Sequence, residues 1–115
     1  MAFQRGDIYD ARLDPVEGSE QAGVRPVIIV SRNAINSRLT VVTTVPCTTK
    51  RPTTRIYPSR AEIQAPDGGL TVDSVVLCEQ ARAVSKTRLL RYRGSLSAGS
   101  MAAVDRALRI ALDLL

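Results

Sequence analysis

Gly18-Ser19-Glu20-Gln21-Ala22-Gly23-Val24-Arg25-Pro26-Val27-Ile28-Ile29-Val30 joins a polar, glycine-bracketed loop to an apolar, β-branched run, with an arginine at the seam. The run from Arg25 to Ser31 is too short for a helix and reads as a central strand. Pro26 has no N–H to give a ladder, so this strand must begin at an edge or a bulge. A basic group at the end of a rigid strand is held at a fixed angle to whatever the loop encloses. The planar guanidinium of Arg25 suits the paired oxygens of a phosphate.

Outward from this seam the chain reads as short strands. Asp7 to Leu13 alternates apolar and polar residues, with Tyr9 directed to the core, and Asp14-Pro15 stops it. Leu39 to Thr48 is a third strand, broken near Pro46. Lys50 to Thr54 is a basic loop, Arg55 to Ile63 is weakly extended and Pro66-Asp67-Gly68-Gly69 is a turn. Ser74 to Cys78 is a short apolar strand, and Glu79 to Val84 continues the sheet after a kink. From Ser97, a helix N-cap, Met101, Val104, Leu108, Leu112 and Leu115 recur on one helical face. Ala103, Ala107, Ile110 and Leu114 add a second apolar stripe, wide enough for the helix either to meet another chain as well as its own sheet or to sink deeper into its own domain. Short antiparallel strands followed by one closing helix predict an α+β, mainly β, fold built as a small twisted barrel.

Composition bounds the function. A chain of 115 residues with 44% hydrophobic content is expected to form one domain over residues 1–115. No window approaches a membrane span, and no basic segment followed by an apolar one opens the chain; a soluble cytoplasmic protein is the expectation. Histidine is absent, which excludes serine–histidine hydrolysis and the usual zinc sites. Cys47 and Cys78 stand in apolar runs without metal-ligand spacing and are expected to be buried free thiols. The formal charge is +5, unevenly spread. No acid occurs between Gln21 and Ala61, where Arg25, Arg32, Arg38, Lys50, Arg51, Arg55 and Arg60 fall; Arg82, Lys86, Arg88, Arg91 and Arg93 form a second acid-free cluster. Such a field draws in a polyanion, a nucleic acid or an acidic protein, unless it is only a solvated surface.

Arg5-Gly6-Asp7-Ile8-Tyr9, Leu13-Asp14-Pro15, Gly18-Ser19-Glu20-Gln21, Arg25-Pro26-Val27-Ile28-Ile29-Val30, Pro46-Cys47-Thr48-Thr49 and Asp73-Ser74-Val75-Val76-Leu77-Cys78-Glu79-Gln80-Ala81-Arg82 follow one another over nearly the whole chain. Their order and spacing resemble the signature blocks of MazF/PemK-type toxins. The resemblance implies an SH3-like barrel of the MazF/CcdB kind and a metal-independent, cofactor-free, sequence-specific endoribonuclease. It implies a homodimer that cuts single-stranded RNA, usually mRNA, and is silenced by a cognate antitoxin. The family's catalytic arginine and threonine fall on Arg25 and Thr48. Cys47 departs from the aliphatic residue usual in relatives, a change of packing rather than of chemistry.

The residue inventory is consistent with that chemistry. RNA carries its own nucleophile, the 2′-hydroxyl, so cleavage to a 2′,3′-cyclic phosphate and a 5′-hydroxyl needs two proton transfers and stabilisation of a charged phosphorane. Arg25 can bind the non-bridging oxygens and protonate the departing oxygen, and Thr48 can donate a hydrogen bond to the same phosphate. Arginine is a poor base at neutral pH. Glu20, the carboxylate of the loop facing Arg25, is therefore the candidate base; anchoring the loop or contacting a base edge are its alternatives. Ser19, Gln21, Thr49 and Gln80 are candidate RNA contacts, because amides and hydroxyls can read single-stranded base edges; ordinary loop hydrogen bonding is the other reading of each. Two rivals remain. A gyrase-inhibiting toxin of the CcdB type shares the barrel, but those relatives end in Trp-Gly-Ile, whereas this chain lacks tryptophan and ends Asp113-Leu114-Leu115. A non-catalytic RNA-binding barrel is opposed only by the pairing of Arg25 with Thr48.

Overall fold

A computed structural model describes residues 2–115. Its elements in chain order are β1 (Asp7–Arg12), β2 (Val24–Ile29), α1 (Asn33–Arg38), β3 (Val41–Thr49), β4 (Arg60–Ile63), β5 (Ser74–Leu77), β6 (Arg82–Ser85), β7 (Leu89–Ser95) and α2 (Ala98–Leu112). All strand pairs are antiparallel, in the order β4-β5-β3-β2-β1-β7, with β6 also on β3. The expected strands and closing helix are present. The expected barrel does not close, since β4 and β7 end the hydrogen-bonded order without pairing with each other.

Both inner prolines lie where a ladder bond is not required. β2 meets β1 along Val24–Ile28 but meets β3 only through Val27–Ile29, so the missing N–H of Pro26 falls where one flank is open, as the sequence requires. β3 is continuous through Pro46, contrary to the expected break. On the flank away from β2 it pairs with β6 over Val41–Thr44 and with β5 over Cys47–Thr49, and Pro46 occupies the gap between those partners. The kink between β5 and β6 is one 3-10 turn, Cys78–Gln80.

The sheet is buried on both faces, which explains the unbroken apolar run of β2. Ile8, Ile28, Val45, Cys47 and Val76 face α2 and meet Val104 and Ala107, while Tyr9, Val27, Ile29, Val42 and Val84 pack on the other face with Phe3 and Leu89. The Ser97 hydroxyl caps α2 by accepting from the Ser100 amide. Met101, Val104, Ala107, Leu108 and Ala111 make the seam with the sheet. Ile110, Leu112, Leu114 and Leu115 are exposed, so the apolar stripe turns from the core at its C-terminal end. The helix stops there because Asp113 takes a left-handed conformation, with φ 56°.

Two elements were not anticipated. α1 is a six-residue helix without apolar periodicity, anchored by buried Asn36, whose Nδ2 donates to the Ser31 carbonyl at 2.8 Å. β7 occupies part of the second basic cluster. Two irregularities in its register with β1 disturb the apolar alternation, and Leu90 and Tyr92 are exposed. The Pro66–Leu70 turn presses on β7 so closely that a Cβ on Gly69 (φ 74°) would lie 2.0 Å from the Arg93 carbonyl oxygen. Only glycine fits there.

Candidate active site

The pleat sets Arg25 in the row of Val27 and Ile29, and Thr48 in the row of Val42 and Pro46, on the sheet face turned from α2. The β2–β3 register, Val27 opposite Pro46, sets Arg25 opposite Thr48 when carried two residues further along both strands. Arg25, Thr48 and Thr49 line one cavity of about 200 Å³, with Ser74 and Arg93. Ser19, Glu20, Gln21, Thr48 and Gln80 line a second, of about 400 Å³, with Arg60 and Glu79. Every candidate residue from the sequence therefore borders one of two adjoining cavities, and Thr48 is the wall they share.

The guanidinium of Arg25 is held at one point, where Nε donates to the Ala22 carbonyl at 3.1 Å. Its two terminal nitrogens and the Thr48 hydroxyl have no partner among the described residues. This leaves a forked cation and a hydroxyl facing one space, the donor set that a phosphate accepts. Glu20 lies in the other cavity rather than beside Arg25, and its Oε1 accepts from the Glu17 amide at 2.9 Å, so one carboxylate oxygen anchors the loop.

Long-range polar bonds fasten that loop to the body. The Gln80 side chain accepts from the Gln21 amide at 2.8 Å and donates to the Ser19 carbonyl at 3.4 Å, so both ends of its amide are engaged by the loop. Arg82 donates to the Leu13 carbonyl at 3.1 Å, and Arg88 donates to the carbonyls of Arg12 and Asp14. Part of the second basic cluster thus serves structure. Gln21 Oε1 is buried and has no partner among the described residues.

Sequence reasoning overlooked three charged cavity residues. Arg93 borders the Arg25 cavity, but its guanidinium is held by Asp10 at 3.0 Å and by the Gly69 carbonyl. Arg60 and Glu79 pair across the second cavity, with Arg60 Nε and Nη2 donating to Glu79 Oε2 at 2.9 and 2.6 Å. The adjacency of Glu79 to Gln80 was the available signal for one of them; nothing local marks Arg60 or Arg93 among so many arginines. Cys47 and Cys78 are buried free thiols, as expected, and burial first of all pushes both up to about 12. Neither offers a thiolate nucleophile at neutral pH. Among the described residues no group of three or more Cys, Asp or Glu is arranged to hold a metal ion.

Residues 4–112 match the profile described as PemK-like, MazF-like toxin of type II toxin-antitoxin system. The chain is 41% identical to Endoribonuclease EndoA of Bacillus subtilis over 115 residues, covering 100% of this chain and 98% of that protein. It is 38% identical to Endoribonuclease MazF9 of Mycobacterium tuberculosis over 117 residues, covering 97% and 98%. Among solved structures, an endoribonuclease in complex with its cognate antitoxin from Mycobacterial species superposes with a TM-score of 0.82 at 30% identity, over 99% of this chain and 98% of that one. With its signature blocks carried on a matching backbone from end to end, this chain belongs to the PemK-like, MazF-like toxin family of type II toxin–antitoxin systems.

Proposed function

We propose that the chain is a single-domain, sequence-specific endoribonuclease toxin that cleaves single-stranded RNA, chiefly mRNA, in the cytoplasm without a metal. It acts as a homodimer and is neutralised by a cognate antitoxin. Support comes from family membership, from relatives that are named endoribonucleases, and from a solved relative that binds its own antitoxin. The observation that carries the chemistry is Thr48 as the shared wall, with Arg25 in one cavity and Glu20 in the other.

A phosphate bound at Thr48 borders both the cavity with the forked cation and the cavity with the carboxylate. Transphosphorylation proceeds in line, so the group that takes the proton from the 2′-hydroxyl and the group that meets the departing 5′-oxygen belong on opposite flanks. Glu20 Oε2, free of the loop anchor, takes the first role. Arg25 neutralises the phosphorane and serves the leaving oxygen, and Thr48 donates to a non-bridging oxygen. Ser19, Gln21 and Thr49 border the path of the neighbouring nucleotides, and Gln80 acts by holding the loop.

The test is cleavage of a long mixed-sequence RNA in EDTA. Cuts at a short recurring sequence are expected, leaving 2′,3′-cyclic phosphate and 5′-hydroxyl ends. Binding without cleavage would return the chain to the non-catalytic class, and cleavage abolished by the chelator would remove the metal-free mechanism.

A further inference from the structure

We infer that the cavity between the Ser19–Gln21 loop and the Cys78–Gln80 turn is a nucleobase subsite selecting bases that carry an exocyclic amine, with Glu79 as the reader and Arg60 as the residue that positions it. The inference rests on the RNA-cleaving reading above and specifies what that site recognises beside the cut.

Volume and place come first. At about 400 Å³ the cavity falls in the range of small-molecule pockets, roughly 300–1,000 Å³. It shares Thr48 with the Arg25 cavity, so a nucleotide whose phosphate sits at Thr48 can put a neighbouring base into it.

Polarity then narrows the occupant. The chain has a formal charge of +5, yet this cavity holds two carboxylates, Glu20 and Glu79. Arg60 offsets only one of them, so inside this cavity a neutral group with N–H donors is favoured over a second phosphate. Glu79 is pre-set for that contact. Both Arg60 hydrogen bonds fall on Oε2, and Oε1 has no partner among the described residues. Arg60 is itself fixed, with Nη1 donating to the Arg55 carbonyl at 3.0 Å and its guanidinium 4.8 Å from the centre of the Tyr57 ring. The Gln80 amide, which could have supplied a donor, is engaged by the Ser19 carbonyl.

The charged oxygen left open here, Glu79 Oε1, is thus an acceptor, since a carboxylate oxygen only accepts. Cytosine, adenine and guanine present amine donors, while the corresponding position of uracil is a carbonyl oxygen that meets Glu79 Oε1 acceptor to acceptor.

Binding separates this inference from the catalytic reading. Short single-stranded RNAs with 2′-deoxyribose 5′ of the mapped cut lack the nucleophile and report affinity alone; without a cut, the deoxy position is walked along the same RNA. Matched oligonucleotides carry cytosine or uracil, and adenine or unsubstituted purine, at each position in turn. At one position wild-type protein is expected to favour the amine-bearing base by about tenfold. Glu79→Gln should reduce that ratio to less than about threefold, and Arg60→Met should reduce it in part, with thermal unfolding showing both variants folded. A wild-type protein indifferent to the amine at every position, or a ratio unchanged in folded Glu79→Gln, overturns the inference. Failure of the all-ribose parent to be cleaved overturns the endoribonuclease reading and leaves the base ratio to be judged on its own.

Discussion

The cleft around Arg25 and the N-terminus of α2 are both made of charged and hydroxyl groups at the end of a regular element, yet they use them in opposite ways. At the helix, Asp67 accepts from the Ser97 amide at 2.9 Å, the Ser97 hydroxyl at 2.8 Å and the Ser100 hydroxyl, and the turn carrying it is wedged against β7. In the cleft, Arg25 makes a single side-chain bond and Thr48 none among the described residues. Groups whose partners lie within the protein hold the fold, and groups left without them remain available to a ligand. Arg93 shows the difference inside one cavity: it borders the same space as Arg25 but is bound to Asp10 and Gly69.

The largest effect should come from the cleft. Arg25→Ala is expected to lower the cleavage rate by about 10²–10³-fold, the usual loss when a preorganised stabiliser of transition-state charge is removed. Stability should change by less than about 1 kcal/mol, since one hydrogen bond to the Ala22 carbonyl is lost. Initial rates on one RNA, paired with chemical denaturation, check both. A variant that cleaves normally, or that unfolds, would assign Arg25 to the fold and erase the contrast.

Gly69→Ala is the reciprocal case. A methyl group meets the Arg93 carbonyl oxygen at 2.0 Å on a backbone with φ 74°, and two backbones must part to admit it. A loss of about 3 kcal/mol is expected in denaturant unfolding. Tolerance of alanine would show that the turn and β7 are not wedged together.

What the sequence revealed follows the same division. Arg25 was legible as a cation at the seam of a loop and an apolar strand, whereas Thr48 was marked only by the resemblance of its Pro46-Cys47-Thr48-Thr49 block. Ser97 was legible as a cap because its partner Ser100 is three residues away. The bond from the Gln21 amide to Gln80 spans 59 residues, and the Arg93–Asp10 pair spans 83. No local pattern encodes such pairs, so the sequence left Gln80 between RNA contact and loop hydrogen bonding, and Arg93 as one cation among many. β7 escaped because register shifts against β1 disturb its alternation, and α1 because Asn36 rather than an apolar stripe anchors it. Leu112 and Leu115 fit the helical spacing but not the core: the residues of α2 that meet it run from Met101 to Ala111, and Leu115 lies beyond the stop at Asp113.

The smallest and sharpest test of the contrast is Asp67. Burial alone pushes its carboxyl up, but hydrogen bonds from Ser100, from the amide and hydroxyl of Ser97 and from the Gly68 amide together outweigh burial and hold it below the usual carboxylate value. A group whose pKa is lower folded than unfolded contributes stability that is complete above the unfolded value, about 3.9, and is lost as the pH falls through the folded one. Asp67→Ala should therefore cost about 1–2 kcal/mol near neutrality, the range of a lost helix cap. The gap from wild type should stay flat down to about pH 5 and narrow below about pH 4. Denaturant melts of both proteins across that range measure it. A gap that stayed constant into acid would mean that the charge on Asp67 contributes nothing and that the α2 terminus is held by shape alone, whereas a narrowing gap identifies a carboxylate fully engaged in holding the fold, the counterpart of the Arg25 guanidinium left open in the cleft.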